Sequence, residues 1–184
     1  MDVKTFSVTG PLLLQPKKIE DSRGFFSETY NEKLFCQALG DLRFVQDNHS
    51  LSRRAGIVRG LHFQSPPAAQ GKLVRVVSGA IFDVAVDIRR SSPTYGEFVS
   101  ATLSAENWAQ LWIPPGFAHG FCALEANSGV IYKVTSYYRR ENDLGLAWDD
   151  PALAIPWPVA SSEAILSEKD RGHPNLKDLP AYFS

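Results

Sequence analysis

The sequence predicts an all-β protein. Short apolar segments of strand length recur through residues 58–138. Turn signals separate them about every 8–12 residues, the rhythm of an antiparallel sandwich or barrel. Only one segment, residues 31–39, has clear helical spacing.

At 184 residues the chain suits one domain with a sizeable core. Its net charge of −1 gives no electrostatic case for nucleic acid. Any anion must be held by a local cluster of Arg and Lys. Cys36 and Cys122 sit among apolar residues without a CxxC partner, so they read as buried thiols in a reducing compartment. The start MDVKTFSVTG lacks the basic-then-apolar pattern of a signal peptide. No apolar run approaches the roughly 20 residues of a membrane helix. The expectation is a soluble cytoplasmic protein with no membrane or nucleic-acid partner.

Taken in order, residues 1–14 alternate weakly and predict one or two short strands broken at Gly10-Pro11. Residues 17–21 are polar, and Ser22-Arg23-Gly24 is a turn signal. A strand is expected over 25–30. Asn31 is a good N-cap; Leu34, Phe35, Ala38 and Leu39 then fall at helical spacing before Gly40. Residues 44–51 read as a strand and 52–56 as a basic polar loop. Further strands are expected over 58–64, 72–78, 80–89, 99–103, 109–113, 120–124 and 130–138. In 80–89, Phe82, Val84, Val86 and Ile88 make one apolar face, with Asp83, Ala85 and Asp87 on the other. From Asp149 the chain is Pro-rich and then polar, with short helical turns. We divide the domain into N-terminal strands (about 1–50), a β core (about 57–148) and a C-terminal extension (about 149–184) that needs the core to pack on.

Polar groups set among core-forming residues need a reason, because burying them unpaired is costly. Val58–Gln64 carries Arg59 and His62, and the next strand begins with Lys72. His119 follows a Pro-Pro-Gly turn, at what reads as a strand entrance. A β domain with one motif at GLHFQ and another at PPGFAHGF resembles the cupin superfamily and its double-stranded β-helix, or jelly roll. Metal-binding cupins carry a His-x-His pair and a downstream Glu in the first motif. Here the second histidine is Gln64, and no Glu lies between Gln64 and Gly79. His62 and His119 alone are too few for a catalytic metal site, which takes three protein ligands. No metal is expected.

The resemblance narrows with DSRGFF (21–26), QDNHS (46–50), GIVRGLHFQ (56–64), QGKLVRVVSGAIFDVAVDIR (70–89), IPPGFAHGF (113–121), YKVTSYY (132–138), LAWDDP (146–151) and LSEKD (166–170). In this order and spacing the chain is similar to the dTDP-4-dehydrorhamnose 3,5-epimerase family. That resemblance implies inversion at C3 and C5 of a 4-keto-6-deoxy sugar on a nucleotide diphosphate. Both carbons adjoin the ketone, so the reaction needs a base, an acid on the opposite side and a cation at the enolate oxygen. It needs neither metal nor nicotinamide.

The resemblance further implies His62 as base, with Asp170 as its carboxylate partner, Tyr132 as acid and Lys72 beside the keto oxygen. Arg23, Arg59 and Lys169 would contact the diphosphate and nucleotide; Glu28, Gln46, Asn48 and His119 would contact nucleotide or sugar. Gln46 and Asn48, two apart, share one face of a strand. Phe26 and Tyr137 would stack on the thymine. Asp143 stands where the family often has Glu, one methylene longer. The family also implies a homodimer whose N-terminal strands cross to the partner, so that Arg23 and Glu28 serve the neighbour's site.

Arg59 and His62 are three apart, and strict alternation puts them on opposite faces. If both line the site, a bulge near Gly60 must re-aim one of them. Other readings are a single-site (C3 or C5) epimerase of an antibiotic-sugar pathway, a non-catalytic sugar-nucleotide-binding cupin, and a metal-dependent cupin oxygenase. Keeping base and acid speaks against the second, and the missing ligands against the third.

Overall fold

The computed structural model describes residues 1–184. Strands β1 (Asp2–Thr5) and β2 (Leu12–Gln15) open the chain. A separate hairpin follows, β3 (Ile19–Asp21) and β4 (Gly24–Phe26), then helix α1 (Glu32–Leu39). The body comprises β5 (Gln46–Ser52), β6 (Val58–Gln64), β7 (Lys72–Ser78), β8 (Ala80–Asp87), β9 (Phe98–Ser104), β10 (Gln110–Ile113), β11 (Phe117–Ala123) and β12 (Ser128–Val134). Strand β13 (Asp143–Gly145) and the short helix α2 (Glu168–Arg171) come last.

A six-stranded sheet in the order β1-β2-β10-β7-β12-β5 faces a five-stranded sheet in the order β13-β6-β11-β8-β9. All the pairings within them are antiparallel. This is the jelly roll of the cupins. Val74, Val76, Leu111 and Val130 from one sheet meet Ile81, Ala85, Phe117 and Phe121 from the other in the main core.

Both outer faces are partly covered. Helix α1 lays Phe35 on Leu14, Leu73 and Trp112; its Asn31 cap accepts a bond from the Leu34 amide at 3.3 Å. The C-terminal extension sets Leu153, Leu176 and Leu179 on Leu61, Phe63, Val84 and Val86. The expected apolar face of β8 therefore lies under the extension. Its acidic face points into the sandwich, where Asp83 and Asp87 are wholly buried. Asp87 is neutralised by Arg89 and bonded by Ser92 and Thr94. No helix is long and apolar enough to cross a membrane.

Several expected boundaries move. The strand expected over 25–30 ends at Phe26; beyond it, Ser27 accepts from the Trp108 indole and the Thr29 carbonyl from Gln110, so side chains hold this segment instead of a ladder. The strand expected to reach residue 138 stops at Val134. Its continuation bonds to the side chains of Gln70 and Gln64 through the carbonyls of Ser136 and Tyr137. Strand β11 begins three residues before residue 120, which puts His119 inside a strand and not at its entrance. The ladder role of residues 143–145 and of β3 had no clear sequence signal, whereas the turn at 22–24 and the strand after it did.

Strand β6 has the bulge that a shared face for Arg59 and His62 requires. His62 pairs with His119 and Arg59 with Phe121, so three steps on β6 match two on β11. Gly60 sits between them at φ +129°, and a side chain there would collide with the Gly120 backbone and come within 2.9 Å of the His119 carbonyl. Gly24 has the same φ but open space around it. Gly24→Ala should therefore cost only backbone strain, about 1–3 kcal/mol. Gly60→Ala adds the clash and should cost more than ~3 kcal/mol or prevent folding, as urea denaturation of both variants would measure.

Candidate active site

Residues of both sheets line a cleft with two adjoining lobes of about 430 and 270 Å³. His62, Lys72, Tyr132 and Lys169 line both. Strand alternation explains why. Tyr132 shares a face with the core residues Val130 and Val134, and Lys72 shares one with Val74 and Val76. The inward faces that carry the core thus carry these polar groups as well.

From the five-stranded sheet come Arg59, His62 and His119. His62 Nε2 and Asp170 Oδ1 lie 2.5 Å apart. Asp170 belongs to α2, where its amide is capped by Ser167 at 3.2 Å; the extension thus brings a carboxylate across 108 residues of chain. Burial alone would raise the Asp170 pKa, but the His62 bond and charge hold it below the usual carboxylate range. An ionised Asp170 fixes the proton on His62 Nε2 and leaves Nδ1 as the basic nitrogen. The His62 side chain keeps 30% of its surface exposed, so the ring remains accessible from the cleft.

Tyr132 stands on β12, in the opposite sheet. Burial is the main cause raising its phenol above the ordinary value, so it holds its proton at neutral pH. Lys72 is buried, and its Nζ donates to the His62 carbonyl at 3.2 Å. Burial pulls the ammonium down to about 8 against the opposing pull of Asp143 and Asp83. It is still mostly cationic at pH 7. His119 forms a second His–Asp pair, its Nε2 2.6 Å from Asp83 Oδ1; burial lowers its pKa although Asp83 opposes this.

The second lobe takes Gln46, Asn48 and Asp143. Gln46 donates to Asn48 at 2.8 Å. Asp143 accepts from Lys169 at 2.5 Å and from the Tyr138 hydroxyl at 3.0 Å, so the shorter carboxylate still ties together the rim of the lobe. Arg59 reaches the Leu51 carbonyl at 3.0 Å and keeps its place in the first lobe.

Four expected residues lie elsewhere. Arg23 and Phe26 form part of a separate depression on the β3–β4 hairpin, and Glu28 follows them, exposed. The Arg23 side chain is 87% exposed, paired only with Asp21. Within one chain none of the three lines the cleft. Tyr137 is also outside it, 66% exposed. The chain leaves its ladder at Val134, and it is Tyr138 that lines the lobe. Sequence reasoning passed over Tyr138, Asp83 and His173. None of them carried a clear signal: Asp83 lies on the strand face opposite the one whose sequence is apolar.

His62, Asp170 and His173 place their ligand-capable atoms within 4.8 Å of one another. Two ligands about 2 Å from one zinc in tetrahedral geometry would stand more than ~3 Å apart. His62 and Asp170 are closer than that and already bonded, so the group is built as a hydrogen-bonded pair with a neighbour.

A model of the dTDP-4-dehydrorhamnose 3,5-epimerase family matches residues 5–178. A dTDP-4-dehydrorhamnose 3,5-epimerase of Sinorhizobium fredii is 54% identical over 183 residues, covering 100% of this chain and 93% of the relative. The solved structure of a dTDP-6-deoxy-D-glucose-3,5-epimerase of Legionella pneumophila, in complex with dTDP-4-keto-L-rhamnose, superposes with a TM-score of 0.93 at 45% identity, covering 98% of this chain and 95% of that one. That of a dTDP-4-dehydrorhamnose 3,5-epimerase of Bacillus anthracis, with TDP and PPi bound, gives a TM-score of 0.90 at 50% identity, covering 95% and 98%.

The burial of Lys72 has a stability consequence. Its ammonium is disfavoured in the folded state, so the penalty is full below about pH 8 and gone above the ordinary 10.5. The shift corresponds to at most ~3 kcal/mol. Lys72→Met should raise stability at pH 7 by about 1–3 kcal/mol. The gap should close as pH rises from about 8 to 10.5, as urea melts across that range would record.

Proposed function

The chain belongs to the dTDP-4-dehydrorhamnose 3,5-epimerase family, and from that premise we propose how its residues divide the reaction. The enzyme epimerises C3 and C5 of dTDP-4-dehydro-6-deoxy-D-glucose, giving dTDP-4-dehydro-L-rhamnose. His62, oriented by Asp170, removes the proton next to the C4 ketone. The Lys72 ammonium meets the charge that develops on the ketone oxygen. The Tyr132 hydroxyl returns a proton from the other side. His119, held by Asp83, contacts the sugar.

The observation that carries this reading is the placement of base and acid on opposite sheets. Inverting a carbon requires proton removal at one face and delivery at the other. His62 on β6 and Tyr132 on β12 flank one cleft with Lys72 beside both. Arg59 and Lys169 supply positive charge for a diphosphate, and Gln46, Asn48 and Asp143 supply polar contacts in the adjoining lobe.

The same reading makes the whole chain one epimerase domain and the working form a homodimer. The β3–β4 hairpin exposes Ile19, Phe25 and Phe26, apolar surface that suits a partner. Arg23, Phe26 and Glu28 would complete the partner's cleft, with Phe26 and Tyr137 as the residues nearest the base of the nucleotide. Cys36 and Cys122 are free thiols, which fits a cytoplasmic location.

Solvent deuterium exchange into the substrate, followed by NMR, tests the assignment. Label should enter at both C3 and C5. Label at one carbon would make the protein a single-site epimerase, and none would sink the reading. His62→Ala should lower exchange at both positions by at least about 10³-fold, within the usual range for loss of a general base. Tyr132→Phe should slow inversion more than proton removal; wild-type inversion in that variant would refute the acid assignment. Sedimentation should give a dimer, and Arg23→Ala should raise KM more than it lowers kcat.

A further inference from the structure

His173 is a largely buried imidazole that the mechanism above does not use. It follows the cap of α2, and its side chain is only 10% exposed. Its Nε2 has no hydrogen-bond partner, an arrangement that costs stability in a folded protein. The ring stands edge-on to His62, with centroids 5.6 Å apart and planes at 79°. Its Nε2 is 3.8 Å from Asp170 Oδ1, the same oxygen that bonds His62.

The seat for this ring is made by Gly145. Any side chain on Gly145 would collide with the His173 imidazole. Gly145 is also the residue of β13 that pairs with His62 on β6. The ladder therefore fixes the distance between the His62 backbone and the surface on which His173 rests. Base, carboxylate and second imidazole are held by three elements at once: β6, α2 and β13.

We propose that His173 is a positioning residue for the base, holding the His62 ring edge-on and standing as second claimant on the Asp170 carboxylate. The inference rests on the assignment of His62 and Asp170 as base and partner. At 3.8 Å the second contact exceeds a hydrogen bond, so in the resting state Asp170 belongs to His62. The groups facing His173 are His62 from β6, Asp143 from β13, and Lys169 and Asp170 from α2. Burial is the largest influence and lowers its pKa. His62 and Lys169 act in the same direction; Asp170 and Asp143 oppose them. His173 is therefore neutral at neutral pH and gains a proton only on acidification. In doing so it draws Asp170 away from His62 and loosens the bond that orients that ring. Without His173 the carboxylate serves His62 alone at every pH.

The test compares the pH dependence of exchange at C3 and C5 in the wild type and in His173→Phe. Phenylalanine preserves a ring against His62 and Gly145 but has no nitrogen. The acid limb of kcat should move by about half a pH unit or more, with KM unchanged within about twofold. A residue that only packs would lower kcat at every pH without moving the limb, so superimposable limbs would overturn the proposal. A second measurement needs no substitution: an NMR titration of ring-labelled wild-type protein. His62 and His173 should titrate as a coupled pair, each signal showing both steps. Independent single-step curves would also overturn it. If the wild type exchanges neither proton, the epimerase reading fails; if it exchanges both and the limbs coincide, only the role of His173 fails.

Discussion

Gly60 and Gly120 bring the backbones of β6 and β11 too close for a side chain to stand between them. That approach lets β6 carry one extra residue against β11, and the extra residue turns Arg59 and His62 toward the same cavity. Without it, alternation from His62 would aim Arg59 at the outer face, where Val58 now packs among residues covered by the C-terminal extension. The cross-strand partner of His62 is His119, so the bulge also fixes how the two His–Asp pairs face each other. A backbone constraint at one glycine thus sets the orientation of three side chains.

The cleft exists because the inward faces of the sandwich are not uniformly apolar. Val, Leu, Ile and Phe on them form the core. Lys72, Tyr132, His119 and Asp83 stand on the same faces, with His119 between Phe117 and Phe121 and Asp83 between Ile81 and Ala85. Burying charge there would be prohibitive without compensation. The compensation is pairwise: His119 with Asp83, His62 with Asp170, and Lys72 on the His62 carbonyl amid two nearby carboxylates. The Lys72 ammonium is held at a cost to the fold, which is compatible with the electrostatic role proposed for it.

The extension from residue 149 is both cover and contributor. Leu153, Leu176 and Leu179 close the outer face of the five-stranded sheet. Between them the chain passes over the mouth of the cleft and delivers Ser167, Lys169 and Asp170. Stability and function are linked through this segment. The apolar anchors on either side of α2 restrict where Asp170 can stand, and that restriction replaces the rigidity a four-residue helix lacks by itself.

Much of the architecture could be read from one sequence. The strand rhythm, the α1 cap at Asn31, the two faces of β8 and the need for a bulge near Gly60 follow from local sterics and alternation, which depend on neighbours in the chain. The resemblance of the motifs named the base, its partner, the acid and the cation, and these meet in one cleft. Tertiary structure alone decided the rest. It put the Asp83 face inward, because burial depends on what packs above a strand and not on the strand's own pattern. It placed Tyr138 in the cleft and Tyr137 outside, because the ladder ends at Val134. It left Arg23, Phe26 and Glu28 away from the cleft, on a separate hairpin whose placement no local rule encodes. And it set His173 against Gly145, a contact that two unremarkable positions, 28 apart in sequence, make only when a strand and a tail are folded onto the same base.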